Sequence, residues 1–415
     1  MEREVVENIL LFYNTNSNDE RKKAEEILNT FKNSEKSWQI CCSLLNQEIP
    51  QISGKDSNSI HLFIATTLSN KIKFHSNDLK AESKKKIKDF LLEKILNFDQ
   101  QKSDTILRQL CTALANFVVV SSEWTNSIPF LATFFSERNP KILLKILTYV
   151  VEEYNSLKQR HRFVISKEKL AQFEDNCLNK IANDIIKLFD QLLEKNKDDI
   201  KSELPRCIAV WLDVIDPFHF SSNTLCESKT VEFLMESLFQ NTQNFDVLID
   251  ALTSVFCYMN EEKYKKNVNF FKKLVVFIGK IKTDIIDVLA SKTEIDFEVG
   301  SKCEKISNLI QIICSSVTDL ILELEPNSLA ILRISIELLD IKHRPSNCII
   351  AGYLITFFEE LDSVYKSCDD SSQKAVLENI IIETVKKLVQ KSCVSENDVE
   401  DEENDFSEFR LNVKF

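Results

Sequence analysis

The stretch from Ser59 to Lys73 reads SIHLFIATTLSNKIK, and its apolar pattern is the clearest indication of the fold class. Its apolar side chains recur at the i, i+3, i+4 spacing of one helical face: Ile60, Phe63, Ile64, Leu68 and Ile72. A helix with a single apolar face cannot bury that face alone. The stretch therefore predicts a helix packed against other helices.

The same period recurs along the chain, in SDTILRQLCTALANFVVVSS (103–122) and again over 173–192 and 200–215. The β-branched run Val118–Val120 would suit a strand, but it completes a helical stripe more naturally. Pro205 lies inside the third pattern, so we expect it near a helix start or at a kink. Two longer helices are predicted later, one charged and reaching Ser291 from the region after Asn260, the other from Phe297 to Leu324.

Glycine is scarce: four occur in 415 residues, beside seven prolines. So few glycines argue against phosphate-binding loops and hairpin turns, and so against nucleotide-binding α/β folds and all-β folds. We predict an all-α fold, an α-solenoid of HEAT/ARM-like antiparallel helix pairs of either hand. Pairs are expected to start at spacings of roughly 33 to 55 residues, near Glu2, Glu35, Lys80, Glu123, Lys167, Ser222 and Asn260, with further pairs near Asn327 and Ser371.

Composition excludes several classes of protein. The net charge of −12 argues against direct nucleic-acid binding and favours a basic protein partner. Twelve scattered cysteines predict buried thiols rather than disulfides or a metal site. The five histidines lie far apart and no catalytic motif occurs, so we expect no enzyme activity, cofactor or metal. Without a secretory signal or a bilayer-length apolar run, we expect a soluble intracellular protein.

Two charged segments remain open to interpretation. The lysines of 84–88 are either a solvated helix face, which we favour, or a landing site for an acidic partner. The acidic segment 395–405 is either a solvated loop or an acidic loop that receives a basic ligand. Its acidic residues are Glu396, Asp398, Glu400, Asp401, Glu402, Glu403 and Asp405. After it, apolar residues return with near-helical spacing at Phe406, Phe409, Leu411, Val413 and Phe415.

Several segments, in fixed order, resemble the importin-β superfamily and within it the transportin-SR receptors. They are RKKAEEILNTFKNSEKSWQICCSLL (21–45), IHLFIATTLSNKIK (60–73), PFLATFF (129–135), ILLKILTYVVEEYNS (142–156) with its Glu-Glu pair, RCIAVWLD (206–213) and DFSEFRLNV (405–413). The resemblance implies importin-β N-terminal-like HEAT units over 1–120, further exportin/importin-β-like units over 121–394, the acidic loop, and the start of a truncated helix over 406–415. It also implies that the chain is an N-terminal portion of a longer receptor.

The resemblance implies a nuclear import receptor that shuttles between cytoplasm and nucleus. Its partners would be Ran-GTP, cargo such as SR-type splicing factors, and FG nucleoporins, with no membrane; loss of the C-terminal half would put cargo binding in doubt. Contacts with Ran would fall on two inner helices, at Asn70, Lys71, Lys73 and Arg108. The alternatives are a HEAT-repeat scaffold outside transport, which would ignore Ran's nucleotide, and an exportin or bidirectional receptor, which would bind cargo together with Ran-GTP.

Overall fold

The computed structural model describes the backbone of residues 2–47, 54–98, 103–121, 123–159, 165–215, 219–220, 224–240, 245–292, 294–323, 325–367 and 371–392. Every regular element in these residues is helical and none is a strand. The chain forms two compact units, Met1–His219 and Phe220–Phe415. The all-α prediction is confirmed, and helices in each unit pack as successive pairs typical of an α-solenoid.

The described residues of the first unit form eleven α-helices. They are α1 (Glu2–Asn14), α2 (Asn18–Asn33), α3 (Ser37–Asn46), α4 (Gly54–His75), α5 (Ala81–Leu96), α6 (Asp104–Val120), α7 (Ser127–Phe135), α8 (Pro140–Gln159), α9 (Lys167–Phe173), α10 (Ala182–Ile200) and α11 (Leu204–Val214). A π-helical turn at Glu174–Leu178 and a 3₁₀ turn at Asn179–Ile181 separate α9 from α10, where the sequence predicted one long helix. Helices α1 and α2, α3 and α4, α5 and α6, and α7 and α8 form the pairs.

The second helices of the last three pairs, α4, α6 and α8, also pack side by side. Helix α6 packs between α4 and α8, and α8 packs in turn against α11. We call α4, α6, α8 and α11 the second-helix row. Helix α6 shows why the row is stable: its apolar residues from Ile106 to Val120 are buried, including the run Val118–Val120, which is helical as predicted. Each fully buried valine, leucine, isoleucine or phenylalanine among them contributes about 1.5–3 kcal/mol.

The second unit contains ten further α-helices among the described residues. They are α12 (Lys229–Ser237), α13 (Phe245–Cys257), α14 (Glu261–Lys266), α15 (Val268–Ile281), α16 (Asp287–Ala290), α17 (Phe297–Ser316), α18 (Thr318–Leu322), α19 (Pro326–Leu338), α20 (Arg344–Ser367) and α21 (Ser371–Ser392). Helices α13, α17 and α20 pack side by side, while α12 packs on α13, α15 on α19, and α21 on α20.

Two predicted long helices are wrong in detail. The charged segment is interrupted at Asn267, whose backbone leaves the helical region, and by a π-helical turn at Lys282–Ile286. The segment beginning at Phe297 breaks at Val317. None of these three breaks contains proline or glycine, so the local sequence did not predict them. Pro205, by contrast, lies in the first turn of α11, where its missing N–H costs no hydrogen bond.

The predicted pair starts agree with the helices found. Helices begin at Glu2, Ser37, Ala81, Lys167 and Glu261, each within two residues of its predicted position. The start predicted near Glu123 falls before α7, and Ser222 lies outside the described residues. The acidic segment 395–405 and the segment 406–415 also lie outside them. The predicted boundary at residue 120 falls inside the first compact unit and stays a prediction.

Candidate functional site

The second-helix row carries the residues that the sequence singled out. Asn70, Lys71 and Lys73 lie in the last turns of α4, and Arg108 lies in the first half of α6. The structure divides them into two kinds. Asn70 and Arg108 are exposed, whereas Lys71 and Lys73 are buried.

Arg108 presents a cation on the exposed edge of α6. Its guanidinium carbon lies 5.8 Å from the centre of the Tyr149 ring on α8, a cation–π contact. No salt bridge to Arg108 is formed by the residues that the structure describes. Burial raises the pKa of the Tyr149 hydroxyl, so the side chain stays neutral and its ring packs against the guanidinium of Arg108. Arg108 is therefore available for an acidic or hydrogen-bonding partner.

Ion pairs join neighbouring helices on either side of this contact. The ammonium of Lys145 on α8 lies 2.7 Å from a carboxylate oxygen of Asp104 on α6. On the other side of α8, the guanidinium of Arg206 on α11 donates to the Glu152 carboxylate. Because these pairs are partly solvated, each contributes little to stability.

Lys73 makes the most protected ion pair of the row. Its ammonium donates to Glu153 at 2.8 Å and to the hydroxyl of Ser156 at 3.1 Å, both on α8. The two charged side chains are only 10% and 19% exposed. Since α4 and α8 pack on opposite sides of α6, the pair ties together helices that are not neighbours in the row.

Lys71 is also held inside the unit. Its ammonium donates to the main-chain carbonyls of Lys32 and Ser34 at 2.9 and 3.1 Å, and it lies 5.2 Å from the centre of the Trp38 ring. Burial lowers the pKa of Lys71. Lys71 therefore joins the C-terminal end of α2 to α4, and the carbonyl oxygens of Lys32 and Ser34 already accept hydrogen bonds from its ammonium group.

The adjacent pair Glu152–Glu153 is explained by this geometry. Successive residues on a helix point about 100° apart, so Glu152 reaches α11 while Glu153 reaches α4. The sequence showed the pair but not its partners, because Arg206 and Lys73 are far from it along the chain. Tyr149, Lys145 and Asp104 were missed altogether, since a lone tyrosine or an exposed ion pair has no sequence signature.

A groove of about 800 Å³ lies between the first helices α3 and α5. Its apolar wall includes the half-exposed rings of Trp38 and Phe90, and Lys71 lies among the lining residues. Cys42 also lines the groove, and burial raises the pKa of its thiol to about 11. The groove therefore offers aromatic surface but no reactive thiolate.

The cysteines behave as the composition predicts. Those in the described residues are free thiols, most of them buried, and burial raises the pKa of Cys41 to about 12. No group of three histidine, cysteine or acidic side chains within the described ranges is placed to hold a metal ion. None of the helices searched there is long and apolar enough to span a bilayer.

Comparison with known proteins agrees with this architecture. A family model described as the importin-beta N-terminal domain matches residues 24–97, which run from α2 to the end of α5. The chain is 27% identical over 259 residues to the mRNA transport regulator MTR10 of Saccharomyces cerevisiae, covering 57% of this chain and 24% of that protein. It is 25% identical over 267 residues to an uncharacterized protein of Schizosaccharomyces pombe, covering 59% and 27%.

A solved circular tandem repeat protein is similar over 99% of this chain, with 16% identity and a TM-score of 0.32. The aligned regions span about a quarter of the length of the two yeast relatives. The chain is therefore similar to the importin-beta N-terminal domain over residues 24–97 and to MTR10 over part of its length.

Proposed function

We propose that this chain acts as a karyopherin-type nuclear transport receptor that moves between cytoplasm and nucleus. The observation that carries the proposal is the importin-beta N-terminal domain match over residues 24–97, which includes all of α4. A receptor of this kind works by binding and release, without a catalytic step, and we propose no enzyme activity.

The first partner we propose is Ran-GTP, bound at the second-helix row. Asn70 and Arg108 would contact Ran directly, because their side chains are exposed. Lys71 and Lys73 would act indirectly, since their ammonium groups hold α4 against α2 and α8. This assignment separates two contact residues from two positioning residues among the four predicted ones.

Further partners follow from charge and exposed aromatic surface. We propose that the chain belongs to the transportin-SR branch and carries cargo with basic, SR-type segments; the net charge of −12 and the acidic segment 395–405 favour such ligands. We also propose that the groove beside Trp38 and Phe90 receives phenylalanine side chains of FG nucleoporins. Both proposals concern this chain, which aligns with about a quarter of the length of each of the two yeast relatives.

The test is a pull-down of the whole chain with Ran loaded with GTP or GDP. We expect retention of the GTP form only. Equal binding, or none, with both forms would favour a HEAT scaffold outside transport. Adding an arginine–serine peptide distinguishes an import receptor from an exportin. An import receptor releases the peptide when Ran-GTP binds, whereas an exportin binds it more tightly.

A further inference from the structure

A groove of about 370 Å³ lies between α12 and α15 in the second unit, and we call it the α12–α15 groove. The ring of Phe239, just after α12, packs edge-to-face on the ring of Phe277 on α15, with 5.7 Å between their centres. Glu232, near the start of α12, pairs with Lys273 in the first half of α15. Because early residues meet early residues and late residues meet late ones, the two helices run in the same direction along the groove.

The interior of the α12–α15 groove is apolar. Met235 and Phe277 form its buried floor, and the half-exposed Phe239 also lines it. The side chain of Val276 is 63% exposed. Exposure alone does not mark a binding site, since Val268 at the start of α15 is exposed to a similar extent. Val276 differs because it shares a groove with three other large apolar side chains.

Two lysines flank this apolar surface. Lys272 and Lys280 are exposed lining residues of α15, each four positions from Val276, so the three side chains lie on one side of the helix. The ammonium of Lys280 lies 5.8 Å from the centre of the Phe239 ring. Neither lysine forms a salt bridge with a carboxylate in the described part of the chain. Both therefore present positive charge to a ligand in the groove.

One acidic side chain faces the groove from the opposite wall. Glu236 of α12 is exposed and likewise forms no salt bridge within the described ranges. The pairing of Lys273 with Glu232 leaves two cations of α15 and this one anion of α12 among the charged lining residues. Complementarity of charge therefore favours an acidic ligand that lies along the α15 wall.

The spacing of the three α15 side chains fits an extended peptide. Residues eight apart on a helix are separated by about 12 Å along its axis, and Val276 lies midway between Lys272 and Lys280. In an extended chain, side chains at i, i+2 and i+4 point to one side and span about 13 Å. A peptide with the pattern acidic–x–apolar–x–acidic thus aligns its apolar side chain with Val276 and its two carboxylates with the lysines.

We propose that the α12–α15 groove binds an extended acidic segment of a partner protein, with aspartate or glutamate two positions on either side of a leucine. The leucine packs on Val276 and Phe277, and the carboxylates pair with Lys272 and Lys280. The ligand differs from the basic cargo proposed above. The groove belongs to the second unit and the second-helix row to the first, so this inference does not depend on Ran binding.

Fluorescence anisotropy with labelled peptides and the whole 415-residue chain tests the proposal. The probe is the peptide DSLSD. The matched control, SDLDS, has the same composition but places both aspartates on the opposite side of an extended chain from the leucine. We expect DSLSD to bind saturably below about 1 mM and at least about fivefold more tightly than SDLDS. Added salt should reduce this difference, because it screens exposed charges.

Charge reversal tests whether the groove is the binding site. Lys272→Glu combined with Lys280→Glu should weaken DSLSD binding at least about tenfold, and the double variant should instead prefer the peptide KSLSK. Glu236→Gln should strengthen DSLSD binding about twofold, since it removes a like charge. The control is Lys386→Glu, which alters an exposed lysine on α21 outside the groove lining and should leave the affinity unchanged.

Circular dichroism establishes that each variant remains helical before its affinity is compared. Absence of saturable DSLSD binding up to about 1 mM would overturn the proposal. Equal affinities for DSLSD and SDLDS would also overturn it, because the site would then not recognise the spacing of the carboxylates. The same holds if the double lysine variant binds DSLSD as tightly as the parent chain does, since the peptide would then bind elsewhere.

Discussion

Breaking the contact between Lys73 and Glu153 should destabilise the first unit more than breaking any exposed ion pair. Lys73→Met removes two hydrogen bonds, to Glu153 and Ser156, and leaves a carboxylate that is only 19% exposed without its partner. A charge-assisted hydrogen bond contributes about 1.5–3 kcal/mol. Full burial of an ion pair would raise the loss to about 3–5 kcal/mol. Because the pair retains some solvent, we expect the free energy of unfolding to fall by about 2–3 kcal/mol.

Urea unfolding followed by circular dichroism measures this loss. The control is Lys86→Met, which breaks a pair with Glu82 at the same 2.8 Å, but with side chains 76% and 79% exposed. We expect the control to lose less than about 0.5 kcal/mol. The double variant Lys73→Met with Glu153→Leu should cost less than either single change, since it leaves no uncompensated charge. A Lys73→Met loss no larger than that of the control would refute the reasoning.

Three further predictions concern residues in both units. Trp211→Phe removes a buried indole hydrogen bond that joins α11 to α8, and should lower the free energy of unfolding by about 1–3 kcal/mol in urea titrations. Gly300→Ala would place a methyl group 2.7 Å from His343 and should lower the thermal midpoint, whereas Gly352→Ala, with nothing within 4 Å, should raise stability by about 1 kcal/mol. Burial lowers the pKa of His343, against the raising effect of Glu304, so the unfolded state binds the proton more readily and stability should fall as pH drops below about 6.5. His343→Gln should weaken that pH dependence, and an identical pH profile for this variant would contradict the assignment.

Helix content was predictable because the spacing of apolar residues within each helix is a local sequence signal. The apolar residues of 60–72 and 106–120 are buried on the faces that their spacing predicted. The position of Pro205 near a helix start was also predictable, because proline is favoured in the first turn of a helix. Breaks at Asn267 and Val317 were not, since asparagine and valine occur both inside helices and between them.

The candidate site was predictable only in part, and for a physical reason. Sequence pattern located α4 and α6, but whether a polar side chain is exposed depends on which distant residues approach it. Lys73 resembles any solvated lysine until Glu153 is brought to it by the packing of α8 on α6. Arg108 stays exposed and contacts the aromatic ring of Tyr149 on α8, a neighbour that the sequence pattern does not reveal.

We propose that the exposed edge of the second-helix row binds Ran-GTP, and one affinity comparison tests this proposal most directly. Isothermal titration with Ran-GTP would compare Arg108→Glu with Arg138→Glu, a control arginine that is likewise exposed and stacked on an aromatic ring, that of Phe134. We expect Arg108→Glu to weaken binding at least about tenfold, or 1.4 kcal/mol, and Arg138→Glu to leave it unchanged. Equal affinities for the two variants would contradict the claim.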